Sequence, residues 1–226
     1  MDGFLLIDKP SGMTSHDVVD AIRKIAKTRR VGHAGTLDPF ATGLLILGIN
    51  KATKKLNEIV GLDKEYVATA RLGETSTTDD PEGEVSTIPT TNNQQPTTEN
   101  IESALDQFRG GYSQTAPAFS AKKVGGKKLY ELARKGKMEG VELPKKDVAI
   151  HELEIITYDW PELTFRVRCG SGTYIRALAR DIGEALSVGA YLTELRRTQI
   201  GEYNIQDAIP LDKLDANSVA QRLIPL

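Results

Sequence analysis

Residues 32–48 read GHAGTLDPFATGLLILG. The second part of this stretch decides the fold. Leu44–Ile49 (LLILGI) is a continuous apolar run, too short to cross a membrane and consistent with a strand buried on both faces. Such a strand needs a layer on either side, so it belongs to the centre of a sheet. The first part is a Gly- and Pro-punctuated loop carrying one carboxylate, Asp38. A rigid strand followed back to a polar loop is a favourable place for a reactive group.

Working outward, Phe4–Ile7 reads as a short strand ending in the turn composition Asp8-Lys9-Pro10-Ser11-Gly12. Ser15 is expected to cap a helix over 16–27, where Val18, Val19, Ile22, Ile25 and Ala26 recur at helical spacing. Residues 29–43 read as loop and Lys51–Val60 as helix. Lys64–Leu72 alternates, with Tyr66, Ala68 and Ala70 on one face and Val67, Thr69 and Arg71 on the other, the pattern of a half-buried strand. Ser86–Asn100 is Thr/Asn/Gln/Pro-rich and reads as a mobile surface loop, followed by a short helix at Ile101–Phe108. Residues 110–147 are Gly- and Lys-rich around one helical core, Lys128–Arg134, and suggest a projecting insertion. Ile150–Tyr158 and Leu163–Cys169 are strand-like and meet at Asp159-Trp160-Pro161 as a hairpin. A helix is expected over 174–187, and Ala190–Arg197 with the tail is mixed in character. Regular βαβ spacing is absent, so the expectation is a single α+β domain over residues 1–226. Its core would be a mixed, mostly antiparallel sheet flanked by helices.

The 226-residue chain is long enough to bury a large core without staples. Its lone cysteine, Cys169, cannot form an internal disulfide, and CxxC or His/Cys ligand spacing is missing. These features lead to the expectation of a cytoplasmic protein without structural zinc or a membrane segment. The net charge of −2 conceals a segregated distribution. Residues 72–108 hold eight acids and no Lys or Arg, whereas residues 122–146 hold nine Lys/Arg against three Glu. A second basic cluster, Arg23, Lys24, Lys27, Arg29 and Arg30, precedes the opening stretch. Local potential of this kind steers a polyanion, although Lys-rich stretches also serve as plain solvated surface.

Asp38 is ionised at neutral pH unless perturbed, and admits the roles of nucleophile, base, metal ligand or turn cap. His33 stands near it without the further carboxylates or histidines a metal site needs. Tyr66 lies on a strand and Tyr174 in GSGTYIRALARDIGE, where small residues permit close backbone approach before a helix. Arg176 follows two residues later; a buried Arg must be paired, and an ionised Asp is its natural partner. Aromatic plates, a paired acid and basic surroundings suit an enzyme acting on a nucleobase taken out of its stack. Cys169 ends an apolar strand with no adjacent base and reads as an inert packed thiol.

Six blocks then resemble the TruB-type tRNA pseudouridine synthases, in that family's order and over nearly the whole chain. They are DKPSGMTSHDVV (8–19), GHAGTLDPFATGLLILGINKATK (32–54), KEYVATARLGETSTTDDPEG (64–83), SAKKVGGKKLYELAR (120–134), VRCGSGTYIRALARDIGE (167–184) and YLTELRRTQIGEY (191–203).

The resemblance implies a pseudouridine-synthase fold and isomerisation of the T-loop uridine at tRNA position 55, without cofactor or metal, by a monomer gripping the T-arm and elbow. It makes Asp38 the nucleophile, places Tyr66 in stacking on the flipped base and in late proton removal, and sets Tyr174 in the pocket wall. Arg176 would ion-pair with Asp38, Leu195 would close against the uracil, and His33 would insert among the loop bases. Lys9 and Pro10 match a structural turn. The basic insertion at 110–147 matches a thumb-like loop, with Lys122, Lys123, Lys127 and Lys128 on RNA phosphates, while the acidic 72–108 stretch would face away from RNA. Usual bacterial members continue into a C-terminal RNA-binding domain of the PUA type, which this sequence is expected to lack. Two other readings remain open: a tRNA-folding chaperone in which chemistry is secondary, and a guide-RNA-directed synthase.

Overall fold

The protein is described here by a computed structural model covering residues 1–88, 95–120, 122–133, 135–138 and 140–226, with the side chains of Lys123 and Lys128 also outside the described set. In chain order, β1 (Gly3–Lys9), α1 (Ser15–Ile25), β2 (Val31–Ala34) and β3 (Thr42–Ile49) are followed by a 3-10 segment, Asn50–Lys55, and α2 (Leu56–Val60). Then come β4 (Lys64–Leu72), β5 (Glu74–Ser76), β6 (Val85–Thr87), α3 (Thr98–Asp106) and β7 (Tyr112–Thr115). The next stretch holds β8 (Lys123–Val124), β9 (Lys127–Lys128), α4 (Leu129–Ala133), β10 (Lys145–Val148), β11 (Ile150–Asp159) and β12 (Glu162–Cys169). The remainder is α5 (Ile175–Ala185), β13 (Ala190–Ile200), β14 (Tyr203–Asn204), β15 (Ile209–Pro210) and α6 (Ala216–Arg222). The main sheet has nine strands of mixed direction, so the expected α+β class holds.

The chain forms two compact units, residues Met1–Val67 with Glu194–Leu226, and residues Ala68–Thr193; β4 and β13 each run from one into the other. In the first unit β3 is antiparallel to β1 and β2 and parallel to β13. The apolar run of β3 is covered on both sides, as its sequence requires. Leu45, Leu47 and Ile49 join Leu5 and Ile7 of β1 against Val18, Val19 and Ile22 of α1 and Val219 of α6. Leu44 and Ile46 join Phe4 and Leu6 against Ala52, Leu56 and Ile59. Each of these buried Leu, Ile and Val side chains contributes about 1.5–3 kcal/mol relative to exposure.

In the second unit β11 and β12 form the expected hairpin, antiparallel from Ile150↔Cys169 to Asp159↔Glu162. Cys169 is buried on this ladder. Helix α3 packs on β11 and against α5. Residues 110–147 begin and finish on an antiparallel pair, β7 with β10, that the Gly- and Lys-rich composition does not announce.

Several local expectations are corrected. Thr14, rather than Ser15, caps α1: its hydroxyl accepts from Asp17 N–H, and Asp17 accepts in return from the Thr14 N–H. Residues 31–34, read as loop, form β2, because pairing with β3 supplies what four residues of no clear periodicity cannot. The first half of the expected 51–60 helix is 3-10. Ala190–Ile200, mixed in character, is one long strand whose polar residues are matched by neighbouring strands. The expected mobile loop at 86–100 includes residues 89–94, which lie outside the described set.

Gly43 opens β3 at φ +100°, and a Cβ there would lie 2.8 Å from the Arg197 nitrogen and closer still to the Arg197 carbonyl oxygen. Both terms disfavour any side chain. Gly43→Ala is expected to destabilise the protein by about 3 kcal/mol or more, read as a lowered midpoint in urea unfolding.

Candidate active site

Asp38 lies on the loop between β2 and β3, half-buried, in a turn closed by Ala41 N–H donating to the Asp38 carbonyl at 3.1 Å. The loop is held by its neighbours at successive residues. Ser15, freed from capping, accepts from the Leu37 N–H at 2.9 Å and donates to the Leu37 carbonyl at 3.1 Å. Gly12 N–H donates to the Pro39 carbonyl at 2.9 Å, and the Ser11 hydroxyl to the Phe40 carbonyl at 3.0 Å.

Two buried cations complete this clamp. Lys9 is 0 % exposed, and its ammonium donates to the carbonyls of Pro10 (3.0 Å), Met13 (2.6 Å) and Pro39 (3.2 Å). One charged donor therefore ties the β1–α1 turn to the residue after Asp38. At the other end, Arg197 is 1 % exposed; its Nε donates to the Leu44 carbonyl at 2.8 Å and its Nη2 to the Gly35 carbonyl at 3.1 Å. A buried charge is tolerated only when its donors are used, and here they hold the backbone on both sides of Asp38.

The other first-unit candidates surround this frame. Leu195 is buried on β13, and its carbonyl accepts from Thr42 Oγ1 at 3.5 Å, where β13 registers beside the end of the Asp38 loop. Tyr66 is buried on β4, whose Glu65 accepts from Thr198 of β13 at 2.7 Å. His33 is on β2 opposite Leu47, and its Nδ1 is buried without a hydrogen-bond partner. Burial, with the positive charges of His16 and Arg197 in support, lowers its pKa below the ordinary imidazole value, favouring the neutral ring at pH 7.

Tyr174 and Arg176 belong to the second unit. Arg176 is 6 % exposed; Nη1 donates to the Thr78 carbonyl (2.7 Å) and Asp80 Oδ2 (2.9 Å), and Nη2 to the Phe119 carbonyl (3.1 Å). Asp80 is 3 % exposed and also accepts from the Thr78 hydroxyl at 2.5 Å. Its neighbour Asp79 pairs with Arg180 at 3.0 Å, and burial raises the Asp79 pKa against the pull of that arginine. These two acids thus depart from the reading of 72–108 as a solvated acidic stretch: they neutralise two helix α5 arginines in the interior. A D-D dipeptide in a run with no basic residues carries a weak signal of this, because its partners are about a hundred residues away.

The residue missed altogether is Gln114. Its Oε1 accepts from the Tyr174 N–H at 2.8 Å, while its Nε2 donates to the Tyr174 carbonyl at 3.0 Å and to the Tyr112 hydroxyl at 2.7 Å. The directions are forced. Asp181, an acceptor when ionised, requires the Tyr112 hydroxyl to donate to it at 2.8 Å, so that oxygen must accept from Gln114. Burial first, then the Asp181 charge, drives the Tyr112 pKa far upward, keeping the phenol protonated. The ring is braced edge-to-face by Phe108 at 4.9 Å. This chain of bonds sets the backbone of Tyr174 at the start of α5. Gln114→Leu leaves the Tyr174 N–H unsatisfied and is expected to cost about 2 kcal/mol, lowering the melting temperature by about 4–8 °C.

Of the expected phosphate-binding lysines, Lys122 and Lys127 are exposed at the β8–β9 hairpin; the side chains of Lys123 and Lys128 lie outside the described set. Among the described residues no three His, Cys, Asp or Glu side chains group as metal ligands, and no helix is long and apolar enough to cross a membrane.

The family model for the N-terminal domain of TruB family pseudouridylate synthases matches residues 23–175, and that for the C-terminal domain of tRNA pseudouridylate synthase B matches 176–223. The boundary between them falls at the first turn of α5, where Tyr174 and Arg176 are held. A protein of Mycobacterium sp. (strain KMS) named tRNA pseudouridine synthase B is 49 % identical over 216 residues, covering 94 % of this chain and 71 % of that one. One of the same name from Corynebacterium diphtheriae is 47 % identical over 220 residues, with 95 % and 73 % covered. Among solved structures, a chain of a Cbf5-Nop10-Gar1 complex superposes with a TM-score of 0.73 at 30 % identity, covering 94 % of this chain. A chain of an H/ACA RNP bound to a substrate RNA containing 2'-deoxyuridine gives 0.70 at 29 %, also covering 94 %. This chain spans about half the length of those two, 53 % and 52 %. The clamped aspartate loop, the buried strand behind it and the arginine-bearing helix start all fall inside the matched residues, and the chain belongs to the TruB family of pseudouridylate synthases.

Proposed function

We propose that this protein converts the T-loop uridine at tRNA position 55 to pseudouridine, with Asp38 as nucleophile. The reaction breaks the N1–C1′ bond of a flipped-out uridine, rotates the uracil and joins its C5 to C1′. The C5 proton leaves and N1 gains one, so atoms balance without an oxidant, reductant or co-substrate. The observation that carries this reading is the Asp38 loop, a carboxylate whose flanking backbone is tied down residue by residue. Holding a nucleophile within attack distance replaces a bimolecular encounter and is worth several kcal/mol.

The remaining roles follow the family resemblance. Tyr66 stacks on the extruded base, which is worth about 1–3 kcal/mol and offsets part of the flipping cost, and takes the final proton. Tyr174 and Leu195 line and close the pocket. Arg176 supplies positive charge to the Asp38 carboxylate, and neutral His33 inserts among the loop bases. Lys122, Lys123, Lys127 and Lys128 contact phosphates of the T-arm and elbow, contributing affinity but no base selection. The protein works as a cytoplasmic monomer, in one catalytic domain with residues 110–147 as its thumb. The supporting facts are the family match and relatives named as tRNA pseudouridine synthase B at 47–49 % identity.

The test is incubation of an unmodified tRNA transcript with the protein alone, followed by chemical mapping of pseudouridine. A single new pseudouridine in the T-loop is expected. None anywhere would refute the reading, and modification only when a guide RNA is added would move the protein to the guided class.

A further inference from the structure

We propose that a second basic surface, on the first unit and separate from the thumb, carries the phosphate backbone of the bound RNA. Its core is Lys24, Lys27, Arg29, Arg30, Lys54 and Lys55. The inference rests on the reading of the protein as an RNA-modifying enzyme and specifies where RNA lies upon it.

Three observations support it. First, these residues are distant in sequence but joined in space. Thr28 Oγ1 donates to Asn50 Oδ1 at 2.8 Å and Asn50 N–H to the Arg30 carbonyl at 2.8 Å. Arg23 Nη2 donates to the Val31 carbonyl at 3.1 Å. The turn after α1 is thereby stitched to the start of the Asn50–Lys55 segment, setting two basic stretches side by side.

Second, the six cations are exposed and, among the described residues, make no ion pair. Acids stand only at the margins, where Asp20 pairs with Arg23 at 2.8 Å and Asp2 with Lys51 at 3.5 Å. The second unit behaves oppositely: Arg71, Arg109, Arg166, Arg168, Arg176 and Arg180 all pair with carboxylates. In a chain of net charge −2, positive charge left unneutralised on one surface produces a local field that attracts a polyanion.

Third, Lys27 holds φ +51°. A left-handed conformation disfavours a residue with a long side chain, and glycine would adopt it at lower cost. A lysine retained there keeps its ammonium on this surface against that cost. The last turn of α1 also carries Arg23 and Lys24, which its own dipole stabilises; that accounts for two charges and leaves those of 27–30 and 54–55.

The test compares full-length wild type, Arg29→Gln/Arg30→Gln/Lys54→Gln, and the charge-removing control Lys213→Gln/Arg222→Gln from another exposed part of the same unit. Affinity for an unmodified tRNA transcript is measured from 50 to 300 mM KCl, with melting temperatures to verify folding. Each phosphate contact contributes about −0.9 to the slope of log K against log [salt]. The triple variant is expected to bind more weakly, with a slope shallower by about 2–3, and the control to change it by less than about 0.5. A triple variant with the wild-type slope, from a wild type that makes pseudouridine, overturns this surface and leaves the function standing. An equal change per charge in the control assigns the effect to net charge and overturns it too. A wild type that neither binds nor modifies tRNA overturns both readings. Binding to phosphatidylserine vesicles that the triple variant loses, with its tRNA slope unchanged, gives the patch to a lipid surface instead.

Discussion

Asp38→Asn is expected to lower pseudouridine formation by at least about 10⁴-fold, measured as a single-turnover rate on a tRNA transcript. Asparagine has nearly the same shape as aspartate and no nucleophilic oxygen, so the bond-forming partner is removed while the space it fills is preserved. The clamp acts on the backbone of Gly35, Leu37, Pro39 and Phe40, and each of those bonds survives the change. The variant should therefore melt within about 3 °C of wild type and still bind tRNA, since phosphate contacts supply most of the affinity. Retained turnover would remove Asp38 from the nucleophile's role. Full rescue by this variant of a tRNA-folding defect would favour the chaperone reading over the catalytic one.

Lys9→Met should harm both stability and rate. Methionine fills the same buried volume, but the carbonyls of Pro10, Met13 and Pro39 lose their shared donor. Each unsatisfied buried carbonyl costs about 1–3 kcal/mol, so a loss of about 3 kcal/mol or more is expected. That corresponds to a melting temperature lower by about 6–12 °C for a protein of this length. The rate should fall about 100-fold even at a temperature where the variant is fully folded, because Pro39 adjoins Asp38 and a displacement of about 1 Å suffices for such a loss. A folded variant with wild-type rate would show that the ammonium holds the β1–α1 turn but does not set the nucleophile.

The two predictions separate what kinds of information the chain displays. Asp38 was legible because its signal is local: one carboxylate, a Gly/Pro loop and an apolar run in seventeen residues, inside a block of a recognisable family. The strands Lys64–Leu72 and Thr42–Ile49 were legible for the same reason, since alternation and continuous apolarity are read over a window shorter than a strand. Lys9 was visible only as part of a turn. Nothing within ten residues of it reports that its ammonium reaches the Pro39 carbonyl thirty positions away. Gln114 and Asp80 were equally silent, because their partners Tyr174 and Arg176 come from another part of the chain.

The misread elements have the same origin. β2 and β13 look irregular because half of their residues are polar or charged. In the folded protein those side chains find partners: Thr193 Oγ1 donates to the Thr69 carbonyl at 3.2 Å, and Arg196 pairs with Asp8 at 2.8 Å. Tertiary pairing outweighs weak local propensity, which differs among residues by only about 1 kcal/mol.

By itself, the sequence determined the α+β class, the buried central strand, the loop that bears the acid and the family. Each is encoded in contiguous residues, where periodicity, turn chemistry and motif order act over short spans. Only the tertiary structure decided which groups hold that acid's loop in place, why Asp79 and Asp80 are interior counter-charges, and which basic residues form a continuous unneutralised surface. Those outcomes depend on desolvation and on charges meeting across long sequence separations. A charge's energy is set by what surrounds it once the chain has folded, so a sequence displays the charge while the fold assigns its partner.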